Sequence, residues 1–489
     1  MAKPLINSGV TLNVIGSLVL IMGVLMLPPA LFSIYYDEPD LIPILASSLI
    51  TLVVGTLLKI GTRRSKDAEI KKRDGYLIVT GGWVSMAIFG TLPYLLSGSI
   101  PDISGAFFET MSGLSTTGAT VLDNIEELPH GILFWRSMTQ WIGGMGIIVL
   151  TIAILPLLGI GGMELFVAEA PGPTKDKIHP RIKETAKRLW VIYVVLTMAE
   201  TIILLFCGMN FFDAINHALT TNSTGGFSTK QDSIAAFNSP LIEAVIVIFM
   251  FIAGTNFTLL YFGFKGKFSR FWNNDEFKWY LGAVIMLVII LTPVVYFNTG
   301  EVSLLTSFRE TIFQVVSTIT TTGYASADFT EWGSLAIFVF FLLLFSGASA
   351  GSTSGGIKIV RIVILMKNGF LEFKKRLHPN AIIPVYLNKQ TIPSHIIFNL
   401  LAFIFLYLSV FVFGSLIMTA FGANFEVAIS SVATSLGNVG PGINEIGPSH
   451  TFSGINPGGK WLLSFLMLFG RLELFTVALL FTPYYWRRN

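Results

Sequence analysis

Apolar runs of about 20 residues, the length that crosses a hydrocarbon core of about 30 Å, recur along the whole chain. They fall near residues 9–34 and 41–60, then in four further pairs: 76–97 with 130–168, 186–265, 277–370 and 394–486. Within each later pair the two long runs are separated by a shorter helical pattern: Ile103 to Ser115, Phe211 to Asn222, Ser307 to Thr320 and Phe425 to Leu436. This predicts a helical hairpin followed by four repeats of helix, re-entrant pore helix, loop and helix. Ten spanning helices result.

The loop after each short helix carries a related string. These are Thr116-Thr117-Gly118, Ser223-Thr224-Gly225, Thr321-Thr322-Gly323 and Asn438-Val439-Gly440. Taking the four glycines as equivalent gives spacings of 107, 98 and 117 residues, a repeat of whole structural units. Nine positions before each glycine stands a polar residue on an apolar segment: Glu109, Asn216, Gln314 and Ser431. They are expected to anchor the loops. Four like loops imply one site of pseudo-fourfold symmetry.

The second span of the third repeat departs from the pattern. The stretch Gly347 to Gly356, with glycines at Gly347, Gly351, Gly355 and Gly356, interrupts an apolar helix. Glycine is a poor helix former, and unwound backbone at membrane depth is tolerated only inside protein or beside a water-filled cavity. The segment should therefore line a path. The other second spans each hold a glycine at a comparable distance: Gly144, Gly254 and Gly470. Beside the last stands Arg471, a charge inside an apolar span and so a candidate functional residue. Its structural alternative is an ion pair with Glu473, Glu164, Glu200 or Glu243.

Composition agrees with a membrane protein: 53% of residues are hydrophobic and 12% charged, against about 25% charged in soluble domains. Lysine and arginine cluster from Arg63 to Arg73, Lys175 to Arg188, Lys265 to Lys278 and Lys358 to Lys389. The positive-inside bias puts those segments in the cytoplasm and the four loops on the outer face. The first span lacks a small-residue cleavage site and is expected to be retained. The fold class is thus all-α and polytopic, with two N-terminal helices and four repeats around a pore. Its divisions are residues 1–75, 76–185, 186–275, 276–392 and 393–489.

The loops offer no acid, base or nucleophile with a partner. They offer backbone carbonyls, turned inward by glycine, that can replace the hydration shell of a dehydrated ion, while the pore helices aim the negative ends of their dipoles at the same point. No carboxylate lies in the loops, which disfavours a divalent site, so the expected substrate is a monovalent cation. The string Gly347-Ala348-Ser349-Ala350-Gly351 matches a nucleophile elbow, but it breaks a membrane helix instead of joining strand to helix, and no enzyme is expected. Asn222-Ser223-Thr224 is a glycosylation sequon by chance, and Cys207 excludes an internal disulfide.

In these features the chain resembles the TrkH branch of the Trk/Ktr/HKT superfamily of potassium transporters. The resemblance implies potassium uptake through a filter formed by the twelve loop residues named above, with Gly118, Gly225, Gly323 and Gly440 as filter glycines. It implies a gate at Gly347, Gly351, Gly355, Gly356 and Arg471. It also implies a homodimer in a bacterial cytoplasmic (inner) membrane, resting on cytosolic TrkA-type regulatory subunits, with nucleotide (NAD or ATP) bound only by that partner. K+ is then the substrate, and no nucleic acid is involved. The alternative is a proton- or sodium-coupled K+ symporter.

Overall fold

The structure, a computed structural model, describes residues 6–63, 71–149, 178–300, 303–381 and 383–487. Glu164, the end of the 130–168 span and residues 175–177 of the basic Lys175 to Arg188 segment lie outside them. Long apolar helices dominate, and among the described residues six spans are long and apolar enough to cross a membrane: Ser8–Tyr36, Leu41–Gly61, Lys72–Ser97, Ala186–Phe206, Asp275–Thr299 and Ser394–Ala420. Their outward residues, among them Leu31, Ile42, Phe297 and Phe405, are exposed and apolar, a surface that suits lipid rather than water.

The N-terminal hairpin packs along a seam of small residues. A Cβ on Gly16 would stand 3.0 Å from the Leu58 Cβ, and the Ser48 hydroxyl donates to the Gly23 carbonyl at 2.7 Å. Close backbone approach of this kind is what holds helices together where no hydrophobic drive exists between them.

Four pore helices follow: Ile103–Leu114, Phe211–Asn222, Leu304–Ile319 and Phe425–Gly437. Three of them begin where the sequence supplies a side-chain cap. The side chains of Asp102, Asn210 and Ser303 accept from the amides of Gly105, Asp213 and Thr306, and Asn424 occupies the fourth place. The hydrophobic core has two large halves. One joins the hairpin to repeats 1 and 4, through residues such as Met22, Trp135 and Leu466. The other joins repeats 2 and 3 around Met250, Tyr280 and Phe313.

The expectation that only the third repeat breaks its second span is corrected. That repeat does stop at Leu343 and resume at Ile359. The second repeat also breaks, between Pro240–Ala253 and Phe257–Phe264, with a bend of 107°. The fourth breaks between Pro457–Arg471 and Phe475–Phe481, with a bend of 111°. The only strands among the described residues are two short pairs: Ser346–Gly347 with Ile357–Lys358, parallel, and Val385–Leu387 with Gln390–Ile392, antiparallel.

Candidate ion pathway

At the C-terminal end of each pore helix the backbone makes the same turn. The amides of Thr116, Thr224, Thr321 and Asn438 donate to the carbonyls three residues back, and those of Thr117, Gly225, Thr322 and Val439 to the carbonyls five back. Thr116, Thr224, Thr321 and Asn438 are left-handed, with φ between 52° and 57°. Two residues on, Gly118, Gly226, Gly323 and Gly440 are left-handed again, with φ of 85°, 78°, 78° and 108°. Non-glycine residues in that region cost on the order of 1–3 kcal/mol each and persist only where the surroundings impose them. Here the surroundings do so four times.

This pattern corrects the register of the second loop. Gly226, not Gly225, matches the other three glycines, so the spacings become 108, 97 and 117. Gly225 occupies the place of Thr117, Thr322 and Val439. Ser223 caps the pore helix and returns its hydroxyl to the Leu219 carbonyl at 2.9 Å.

The corrected register closes a ring. A Cβ on Gly118 would be driven into the Gly225 carbonyl, one on Gly226 into that of Thr322, one on Gly323 into that of Val439, and one on Gly440 into that of Thr117. Each repeat thus meets the next, and the fourth meets the first. A side chain at any of the four would push apart two loops. On one face of the ring a polar depression is lined by the same four glycines together with Lys230, Gln231 and His450.

The anchors follow the same register. Glu109 accepts from the Thr120 hydroxyl and the Val121 amide, at 3.0 and 2.9 Å, and Gln314 donates to the Ala327 carbonyl at 2.7 Å. In the second repeat the anchor is His217, nine residues before Gly226. Its Nδ1 faces the Asp213 carbonyl at 2.7 Å and so carries the proton, leaving Nε2 to accept from the Ser228 hydroxyl at 2.9 Å. Asn216 only donates to the Phe212 carbonyl of its own helix, and Ser431 likewise bonds locally to Ala428.

Two loop-holding residues were missed by sequence reasoning. Arg136, buried on the second span of repeat 1, pairs with Glu109 at 2.7 Å. It also donates to the Ser228 carbonyl at 2.9 Å, and its guanidinium lies 3.6 Å from the centre of the Phe227 ring. It therefore ties the first loop to the second. One turn further, Gln140 donates to the Gly225 carbonyl at 2.6 Å and accepts from the Phe227 amide at 3.0 Å. The signal was available: Arg136 and Gln140, four apart, are the charged and amide side chains in the middle of a largely apolar helix.

On the opposite face of the ring lies the small-residue segment. The Gly355 amide donates to the Thr321 hydroxyl at 2.6 Å, and a Cβ on Gly355 would meet the Gly437 carbonyl and the Asn438 side chain. The Thr353 hydroxyl donates to the carbonyls of Asn222 and Ala253, at 3.1 and 3.3 Å. Gly351 and Gly356 take φ of 72° and 61°, and Gly347 pairs with Lys358 in the parallel bridge. Arg471, 2% exposed, donates to the Thr353 carbonyl at 2.9 Å and toward that of Gly143 at 3.4 Å.

Among the described residues Arg471 has no carboxylate partner. Glu473 pairs with Arg361, Glu243 with Arg309 at 3.0 Å, and Glu200 accepts from the Asn222 side chain at 2.6 Å. Only Glu164 lies outside the described residues. The arginine's charge is thus held by backbone carbonyls, directly beneath the ring.

The chain is similar to known proteins over nearly its whole length. A family described as "TrkH: Cation transport protein" matches residues 42–488. The Trk system potassium uptake protein TrkH of Salmonella typhimurium is 42% identical over 479 residues, covering 97% of this chain and 98% of that one. TrkI of Halomonas elongata is 35% identical over 479 residues, covering 98% and 96%. The crystal structure of the potassium transporter TrkH from Vibrio parahaemolyticus superposes with a TM-score of 0.90 at 37% identity, covering 98% of this chain and 100% of the other.

Proposed function

The chain belongs to the TrkH family of cation transport proteins, and from that premise we propose that it takes up potassium across a bacterial cytoplasmic membrane through the ring of four loops. The observation that carries the reading is the closed contact of each loop glycine with the carbonyl of the next repeat. Carbonyl oxygens in such rings substitute for the hydration shell of a monovalent cation. The binding residues, on the corrected register, are Thr116 to Gly118, Thr224 to Gly226, Thr321 to Gly323 and Asn438 to Gly440.

The gate is the 347–356 segment with Arg471. The segment fills the space under the ring, and a fixed positive charge beside a narrow path opposes a cation by about 4 kcal/mol at 4 Å when the effective dielectric is near 20. Regulation then needs only to shift the backbone. A nucleotide-binding cytosolic subunit would act on a homodimer through the helix Ile359–Leu377. That helix begins at the segment and ends in Lys374, Lys375 and Arg376, beside exposed Phe370 and Phe373.

The test is Gly118→Ser in the purified protein reconstituted in liposomes. Relative sodium permeation is expected to rise, because the added side chain displaces the Gly225 carbonyl. An unchanged K+/Na+ flux ratio would remove the first loop from the filter.

A second reading, proton- or sodium-coupled symport, has one observation in its favour. Glu200 is fully buried and one of its carboxyl oxygens has no hydrogen-bond partner, as a proton-carrying group inside a membrane would be. Current at fixed potential, with and without a pH gradient, separates the two. Current that follows the K+ gradient alone supports the passive channel.

A further inference from the structure

Lys358 stands two residues past the small-residue segment, and its side chain turns back into that segment. Its Nζ donates to the Ser354 carbonyl and, at 3.2 Å, to the Gly355 carbonyl, with the Ser354 hydroxyl at 3.3 Å. The parallel bridge of Gly347 with Lys358 fixes the backbone from which the side chain starts. The same Gly355 is the residue whose amide reaches Thr321 in the ring above. The three oxygens that hold the ammonium therefore belong to the stretch immediately under the four loops.

An ammonium group and a potassium ion are of similar radius and charge, and both are satisfied by a few carbonyl and hydroxyl oxygens in place of water. We propose that the Ser354 and Gly355 carbonyls with the Ser354 hydroxyl form a monovalent-cation site in the path, and that Lys358 occupies it as a tethered ion. While the ammonium sits there, a transported cation leaving the ring has no place to go. Opening requires the side chain to withdraw, and Glu473 and Glu276 are the acidic groups that act on it electrostatically, opposed by Arg471 and Arg361. This inference rests on the reading of the 347–356 segment as the gate.

The experiment uses the full chain in liposomes, with Rb+ uptake measured at a fixed negative interior potential. Lys358→Met is expected to raise uptake at least tenfold, a small part of the factor that one unit charge beside a narrow path can impose. Lys358→Arg keeps the charge but carries it on a planar fork that cannot enter the same cage, so its uptake is expected between the two. As a second readout, the vacated site should bind ions: the melting temperature of Lys358→Met in detergent should rise with KCl but not with choline chloride, and by more than that of the unsubstituted protein.

Lys358→Gln returns N–H donors to the carbonyls without the charge and guards against a Met variant that fails to fold. It is expected to leak. A Gln variant as tight as the parent, or a folded Met variant with the parent's uptake and KCl response, overturns the proposal. A variant lacking residues 350–352 separates the two levels of inference. If its uptake is unchanged, the gate reading itself is wrong. If it is high while Lys358→Met behaves as the parent, only the tethered ion is wrong.

Discussion

The loops and the second spans of the same four repeats have opposite characters. The loops are near copies: four left-handed residues, four left-handed glycines and two amide bonds repeated in each. Three of the second spans break, each in its own way. One breaks at Gly254 to Asn256, one opens into fifteen residues between Leu343 and Ile359, and one turns at Glu473 and Leu474. A ring that surrounds an ion from all sides needs four equal contributions, because its strength lies in complete replacement of the hydration shell. An obstruction needs only one side. In this molecule one repeat supplies the segment beneath the ring, another supplies the arginine that donates to its Thr353 carbonyl, and a third supplies the Gly143 carbonyl toward which the arginine also donates.

The sharpest way to break the symmetric half is at its corrected register. Gly226→Ala places a side chain in the left-handed region, at about 1–2 kcal/mol, and drives it into the Thr322 carbonyl. Uptake is expected to fall by more than tenfold, with selectivity lost in what remains. Gly225→Ala needs no left-handed side chain and meets chiefly the Gln140 amide, which can turn. Its effect is expected to be clearly smaller. Equal losses in a Rb+ uptake assay would mean that the two glycines are not distinguished by the ring.

The adjacent Gly225 and Gly226 also show where sequence reading stops. Pore-helix positions were legible because caps such as Asp102, Asn210 and Ser303 stand at their starts and apolar periodicity runs through them. The number of repeats was legible from the loops. With two neighbouring glycines, however, the string offers two alignments, and the choice of Ser-Thr-Gly follows side-chain resemblance while the fold follows φ. The break at Gly254-Thr255-Asn256 had a signal, since Asn256 caps the next helix by accepting from Thr258 at 2.8 Å. The break at Glu473 had none. Leucine and glutamate in the left-handed region are set by tertiary packing, which no local pattern records.

A second test removes the tie between the first two loops. Arg136→Met leaves Glu109 buried with its charge unpaired, which costs about 3–5 kcal/mol. A marked fall in the melting temperature of the purified protein is expected. Glu109→Gln keeps an acceptor for Val121 and Arg136, and the arginine's charge is also held by the Ser228 carbonyl and the Phe227 ring, so this variant should melt between Arg136→Met and the parent. If Arg136→Met melts with the parent, the pair contributes nothing to holding the loops.

The asymmetric half is tested by Arg471→Ala. With the guanidinium gone, the Thr353 carbonyl loses its donor and the path loses a positive charge, so unregulated uptake is expected to rise several-fold. The K+/Na+ flux ratio should stay that of the parent, because the ring lies outside the arginine's contacts. A change in the ratio would show that the two halves are not separable.

The smallest expected effect returns to the loops and asks whether their anchors obey the same register as their glycines. His217 holds Ser228, two residues past Gly226, whereas Asn216 bonds only within its own helix. His217→Ala therefore removes a buried contact between pore helix and loop, worth about 1 kcal/mol net for a typical hydrogen bond, and leaves the Ser228 hydroxyl without its acceptor. Asn216→Ala removes a side chain whose loss the helix backbone absorbs. The histidine variant should show both a lower melting temperature and a modest fall in the K+/Na+ flux ratio, because the second loop loses its support on the side facing the polar depression. The asparagine variant should leave the ratio intact. If Asn216→Ala shifts the ratio and His217→Ala does not, the anchor lies where the string Ser223-Thr224-Gly225 first suggested, and the backbone register would not extend to the helices that carry it.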